Sequence, residues 1–202
     1  SAFAYYTGVQ GVQAQPDSVL VMEPNDDGHE PILFINPRST RESEAFYQDA
    51  KNGELWVGRR FTTDEASERY GIEVREVKDL PKFLKGKPAA ALHGYDEIVD
   101  TVVKQHGRSE ELVSFVSAAR LIKDEYEIIQ MQLAVDATYR GFNDVIRVLP
   151  AAMNIPRGER VVESAFHGRA RIEGNDCGYN TIAASGSHAC ILHWNRNDGD
   201  IN

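Results

Sequence analysis

Gly178-Tyr-Asn-Thr-Ile-Ala-Ala-Ser-Gly-Ser-His-Ala-Cys-Ile-Leu-His193-Trp-Asn-Arg-Asn197 reads as a strand, a turn of small residues, and a short apolar run that brings one histidine to a polar edge. His193 follows Ile191-Leu192 and precedes Trp194-Asn195-Arg196-Asn197. An aromatic ring and amide side chains beside an imidazole can fix its tautomer. Such a group can donate to, or protonate, a reacting atom near neutral pH. The sequence stops five residues after Asn197, so it reads as a fragment that ends where its chemistry begins.

Two helices are predicted upstream. Met131, Val135, Thr138, Phe142, Val145 and Leu149 recur at steps of four and three, one continuous stripe expected to pack in a core and end at Pro150. Pro156, Gly158 and Glu159 open the second helix, with Pro in its first turn. Val162, Phe166 and Ala170 form that helix's buried face, and Gly174 closes it.

The amino-terminal half alternates strands and helices, the pattern of an α/β domain. Val19 to Met22, closed by Glu23-Pro24-Asn25-Asp26-Asp27-Gly28, is a predicted strand with Ile32 to Ile35 as its hairpin partner. Leu55-Trp56-Val57 is a third short apolar run. Thr62-Thr63-Asp64-Glu65 is a capping-box pattern for a helix that ends at Tyr70-Gly71. Ile72 to Val77 gives a strand, Leu80 to Leu84 a helical turn, and Ala89 to Leu92 a short buried strand. Asp96 to Gln105 is a helix that His106-Gly107 stops, and the polar stretch after it reads as a domain boundary. The expected division is 1–110, a linker over 111–122, and a second domain over 123–202.

At 202 residues the chain can bury a real core, and 42% hydrophobic with 26% charged residues is ordinary for a globular protein. The net charge of -9 argues against nucleic acid as a partner. No apolar run approaches membrane-spanning length, and the start carries no signal-peptide pattern. It also lacks an initiator Met, which fits a chain cut at the front as well. Cys177 and Cys190 are no disulfide framework, which points to a reducing, cytoplasmic setting.

His29, His93, His106 and His167 read as structural or solvent-facing. His188, Cys190 and His193 cluster in sequence, but a structural zinc site needs four ligands and the fourth is missing. Neither a phosphate-binding Gly-rich loop nor a Gly-x-Ser-x-Gly elbow is present.

Gly178-Tyr-Asn-Thr-Ile182, Ala184-Ser-Gly-Ser-His-Ala189 and Leu192-His-Trp-Asn-Arg-Asn197 together resemble the first strand pair of the catalytic domain of the Xaa-Pro aminopeptidases, in the creatinase/prolidase/methionine aminopeptidase pita-bread superfamily. Arg120-Leu-Ile-Lys-Asp-Glu-Tyr-Glu-Ile128 is similar to the entry into that family's first catalytic-domain helix, and Arg157-Gly-Glu159 through Gly174 to its second. Phe3-Ala-Tyr-Tyr-Thr-Gly8, Val19-Leu-Val-Met22 and Leu55-Trp-Val-Gly-Arg-Arg60 resemble its creatinase-type amino-terminal domain. The implied fold class is α/β (α+β): a mixed-sheet amino-terminal domain followed by the first part of a pita-bread catalytic domain.

The resemblance implies a hydrolase that releases an N-terminal residue preceding proline. It implies two metal ions, usually manganese, held by two Asp, one His and two Glu, with a bridging hydroxide as nucleophile. An X-Pro bond is a tertiary amide, so its nitrogen must gain a proton to leave. His193 matches the family histidine that contacts substrate beside the metals. Trp56 matches a tryptophan that, in tetrameric members, reaches toward a neighbouring subunit's active site; it reads equally as a strand-end core aromatic. Homodimers or homotetramers, and peptide substrates with proline second, are the implied partners.

The departure is the metal site. The family's ligands would all follow Asn202, and Asp198 and Asp200 belong to the loop before the first of them. The expectation is therefore a chain with substrate-side residues, no metal site of its own, and no activity alone. A prolidase, which cleaves only dipeptides, and a non-catalytic homologue that binds peptides or proteins are the alternatives. Substrate length separates the first, and the sequence beyond Asn202 the second.

Overall fold

The computed structural model describes residues 1–9, 14–104, 107–174 and 176–201. They fall into two compact units, Ser1–Ile122 and Lys123–Asn202. The first unit runs α1 (Ala2–Thr7), β1 (Val19–Asn25), β2 (Gly28–Ile35), α2 (Glu44–Gln48), α3 (Glu54–Val57), α4 (Thr63–Tyr70), β3 (Glu73–Glu76), α5 (Leu80–Leu84), α6 (Glu97–Val102) and α7 (Gly107–Ala119). The second holds α8 (Glu125–Ala152) and α9 (Gly158–Glu173), followed by a 3-10 turn at Gly186–Cys190.

β2 is the centre of a mixed three-stranded sheet in the order β1-β2-β3. It pairs antiparallel with β1, from Val19 opposite Phe34 to Asn25 opposite Gly28, and parallel with β3, from Ile32 opposite Glu73. Ile32-Leu33-Phe34-Ile35 has no alternation because both faces of this strand are covered. Ile32 and Phe34 pack with Val77, Leu80, Leu84, Val99 and Val103. Leu33 and Ile35 point the other way, against Ala66 and the partly buried Phe3, Phe61, Tyr70 and Val74. The hairpin turns at Asp26-Asp27, where the Asp27 amide donates to Asn25 Oδ1 at 3.1 Å.

The capping box of α4 forms as read: the Glu65 amide donates to Thr62 Oγ1 at 3.2 Å, and the Thr62 amide to Glu65 Oε2 at 3.0 Å. Gly71 closes the helix in the left-handed region, at φ 68°. The 3-10 turn Val77–Asp79 leads from β3 into α5.

In the first unit three local readings differ from the sequence expectation. Ala89 to Leu92 is not a strand; Ala89 and Ala91 pack on the Phe34 cluster, and the Ala91 amide donates to Ser109 Oγ at 3.5 Å rather than to a ladder. Leu55-Trp56-Val57 is one helical turn, α3, not part of a sheet. Residues 111–122, expected as a linker, carry most of α7, whose charged start is a helix's first turn with Glu110 near the open amides. Arg120 Nε donates to the Val116 carbonyl at 3.1 Å near the end of α7. The stop expected at His106 lies outside the described residues; α6 ends at Val102.

In the second unit α8 and α9 form a helical hairpin. Arg140 Nε donates to Glu173 Oε2 at 2.8 Å, and Arg169 Nε to Asp144 Oδ2 at 2.6 Å. The pairs run in opposite order along the two helices, so these are antiparallel. Asp124 caps α8 in a capping box with Glu127. Pro150 does not end α8; the helix runs to Ala152, because the Met153 amide still reaches the Leu149 carbonyl at 3.0 Å and Asn154 Nδ2 caps the Pro150 carbonyl at 2.7 Å. Pro156 precedes α9 rather than entering it: Arg157, with φ 59°, is the cap and Gly158 the first helical residue.

The stripe on α8 is helical but is not a core among the described residues. Met131, Val135 and Phe142 are all more than half exposed. What α8 buries is the edge at Gly141 and Ala152. Among the described residues no helix is long and apolar enough to cross a membrane.

Candidate functional site: a buried glutamate beneath the His193 loop

Residues 178–201 were expected to begin with a strand pair, and among the described residues they form none. The ladder is replaced by a side chain. Fully buried Asn197 accepts the Ala183 amide on Oδ1 at 3.0 Å and donates Nδ2 to the Thr181 carbonyl at 2.9 Å. Its φ of 47° lies in the left-handed region, which Asn tolerates better than most residues. One carboxamide thus satisfies backbone groups that a neighbouring strand would otherwise meet.

The centre of this segment is Glu159, in the first turn of α9 and completely buried. Its Oε1 accepts the Ser185 amide at 2.9 Å and faces His188 Nδ1 at 2.9 Å. Its Oε2 accepts the Trp194 indole N–H and the Gly199 amide, both at 2.8 Å. An ionised carboxylate only accepts, so His188 carries a proton on Nδ1. Burial pushes the Glu159 carboxyl up, but the donors, led by the Trp194 indole and followed by Ser185, His188 and Gly199, prevail and hold it at about 2.

Around this carboxylate the chain is closely fitted. The His188 ring stacks on Trp194 with centroids 3.8 Å apart and planes 22° from parallel. The Arg196 guanidinium lies 4.9 Å from the Trp194 ring and pairs with Asp198 at 2.7 Å. Arg196 beside it draws the Asp198 carboxyl below its usual range. A Cβ on Gly199 would meet His188 at 2.5 Å and the Glu159 carboxyl carbon at 2.9 Å, so only glycine fits. The Glu159 amide donates to the Gly199 carbonyl at 3.1 Å, and the Arg157 amide to Asp200 Oδ1 at 2.8 Å.

His193 sits on this framework without joining it. It is exposed, next to Leu192, which is 87% exposed, and its carbonyl accepts the Asn195 amide at 2.9 Å. Its ring makes no hydrogen bond to a described residue. The neighbours expected to fix its tautomer are engaged elsewhere, Trp194 on Glu159 and Asn197 on Thr181 and Ala183.

Residues 1–93 match the model of the aminopeptidase P N-terminal domain. The chain is 47% identical over 204 residues to Xaa-Pro aminopeptidase 1 of Streptomyces coelicolor, covering 98% of this chain and 40% of that protein. It is 37% identical to Xaa-Pro aminopeptidase 2 of the same organism, over 99% of this chain and 43% of that protein. The chain is thus similar, along nearly all of its length, to Xaa-Pro aminopeptidases. A solved Escherichia coli aminopeptidase P, an alanine variant, shares the fold with a TM-score of 0.72 at 23% identity, over 100% of this chain and 47% of that one. The chain thus spans about two fifths of the length of the curated Streptomyces relatives.

Set beside the aminopeptidase P resemblance, Trp56 lies in the first unit on α3, 61% exposed, with its indole N–H on the Tyr47 carbonyl at 2.8 Å. It is not a strand-end core aromatic. His188, Cys190 and His193 do not converge; His188 is taken by Glu159. Both cysteines are free thiols. Among the described residues, His167, Asp176 and Cys177 form a group of three whose potential ligand atoms lie within 4.8 Å of one another. A thiol among them suits softer metals than manganese, which takes oxygen donors and imidazole. Asp198 and Asp200 are held by Arg196 and the Arg157 amide. The described residues therefore do not fit a pair of manganese ions.

Glu159 is the residue that the sequence reading passed over as a site. Its signal was available: an acidic residue in the first turn of a helix, followed by a segment rich in N–H donors.

Proposed function

We propose that the full-length protein is a metal-dependent Xaa-Pro aminopeptidase and that this stretch supplies its substrate-side groups. The supporting observation is an exposed imidazole, His193, on a loop held from below by Glu159 and Asn197. A side chain that acts on a peptide must be reachable, and its backbone must be held still. In this reading His193 donates a hydrogen bond to the oxygen that gains charge as the carbonyl before proline becomes tetrahedral, or passes a proton to the leaving proline nitrogen.

Trp56 is assigned to the substrate side as well, reaching toward a neighbouring subunit's active site in the oligomer. The two units are assigned to the creatinase-type domain and the opening of the pita-bread domain. Two metal ions, manganese in the family pattern, are assigned to ligands other than those described, so this stretch alone would be inactive. A cytoplasmic homodimer or homotetramer completes the proposal.

The test is hydrolysis by the full-length protein of a tripeptide with proline second. Release of the N-terminal residue, loss of it with chelator, and a fall in kcat of about tenfold or more in His193→Ala are expected. A fully active His193→Ala enzyme would overturn the histidine's role. Cleavage confined to dipeptides would overturn the aminopeptidase assignment.

A further inference from the structure

We propose that Glu159 is a positioning residue: a buried acceptor that collects four donors from one loop and thereby sets the orientation of His193. The inference rests on the proposed role of His193, and the geometry beneath it stands apart from that role. Ser185, His188, Trp194 and Gly199 all direct N–H groups at one carboxylate, two to each oxygen. Two of them, His188 and Trp194, flank the loop on which His193 is raised, and Trp194 is its immediate chain neighbour.

The chemistry of the side chain is specified closely. Three of the four donors are a backbone amide or an indole, which cannot become acceptors. Glutamine would present two N–H groups to one of the two donor pairs. Turned toward Oε1 they would oppose the Ser185 amide, and turned toward Oε2 both Trp194 and Gly199. Either way, buried donors lose their partner, which is costly around a fully buried side chain. Aspartate at 159 is too short to reach both sides. The stacked His188–Trp194 pair and the absence of room at Gly199 leave the loop little freedom to compensate.

The carboxylate has no contact with the exposed face where a peptide would lie, so its effect on the reaction passes through His193. Its loss should lower kcat and leave KM nearly unchanged, because the histidine acts on charge that appears only in the transition state. It should also be redundant with loss of His193 itself.

In the full-length protein, Glu159→Gln should lower kcat for a tripeptide with proline second by about ten- to hundredfold. The double variant with His193→Ala should be no slower than His193→Ala alone. Amides of 183–199 should exchange hydrogen faster in Glu159→Gln, with exchange elsewhere unchanged. Losses that multiply in the double variant, or a Glu159→Gln enzyme with parental kcat and exchange, would overturn the proposal. If His193→Ala is fully active while the loop still loosens in Glu159→Gln, the role of His193 fails and so does the catalytic consequence drawn here. Should Glu159→Gln not fold, Trp194→Phe removes a single donor and must show the same redundancy with His193→Ala; multiplying losses there would equally overturn the proposal.

Discussion

Gly141 of α8 faces the Phe166 ring of α9 so closely that a Cβ on it would lie 3.0 Å from both Cδ2 and Cε2 of the ring. The ring is backed by Phe142, with centroids 5.4 Å apart at 65°. Alanine at 141 gains about 1 kcal/mol of helix propensity over glycine, and the same methyl forces Phe166 to yield by a few tenths of an ångström. Gly141→Ala should therefore be near neutral. Gly141→Leu should cost about 1–3 kcal/mol by overpacking the helix pair. Thermal unfolding of the two variants checks this, and a Leu variant as stable as the parent would show that the helices separate freely.

Leu80 is fully buried against Phe34, Val77, Leu84 and Val99, where β2 meets α5 and α6. Leu80→Ala should destabilise the first unit by about 2–5 kcal/mol, the transfer loss plus a cavity. Leu192→Ala, at a residue 87% exposed, should change stability by no more than about 0.5 kcal/mol. Urea denaturation of both separates core from loop. Equal losses would mean that Leu192 is covered in solution.

Thr62 holds the start of α4, the helix that covers Leu33 and Ile35 through Ala66. Thr62→Ala removes the acceptor for the Glu65 amide and should cost about 1 kcal/mol. Thr62→Ser keeps that acceptor and should recover most of the loss. A serine variant as unstable as the alanine one would place the effect in the methyl packing instead of the cap.

The parts of this fold that were legible are those written in local chemistry. The β1–β2 hairpin was set by a polar turn between apolar runs, and α4 by a Thr-x-x-Glu box and a glycine. The misreadings arose where the deciding partner is distant in sequence. Ala89 to Leu92 has strand-like composition, but its backbone is met in part by Ser109, eighteen residues on. Periodicity identified α8 correctly, yet periodicity reports an apolar face and not what covers it; among the described residues α9 covers only an edge. In the site, His193 was found by pattern, whereas the carboxylate beneath it was not. Four donors converge on Glu159 from twenty-six to forty residues away, and no local rule encodes that convergence.

That convergence also sets an acid response. The Glu159 carboxyl is lowered from 4.5 to about 2, so the folded form holds its charge where an unfolded chain would take up a proton. A depressed folded value gives stability that is fully present above 4.5 and lost as pH falls through about 2. Asp144 and Glu173 are also lowered, by Arg169 and Arg140, and Asp198 by Arg196, so these lose stability with the same sign on acidification. Glu159→Gln isolates the one contribution. The stability gap between parent and Glu159→Gln, measured by urea denaturation followed through tryptophan fluorescence, should be widest above 4.5 and shrink as pH approaches 2. A gap that stays constant across that range would mean that the carboxylate's charge contributes nothing and that the glutamine fails on shape alone.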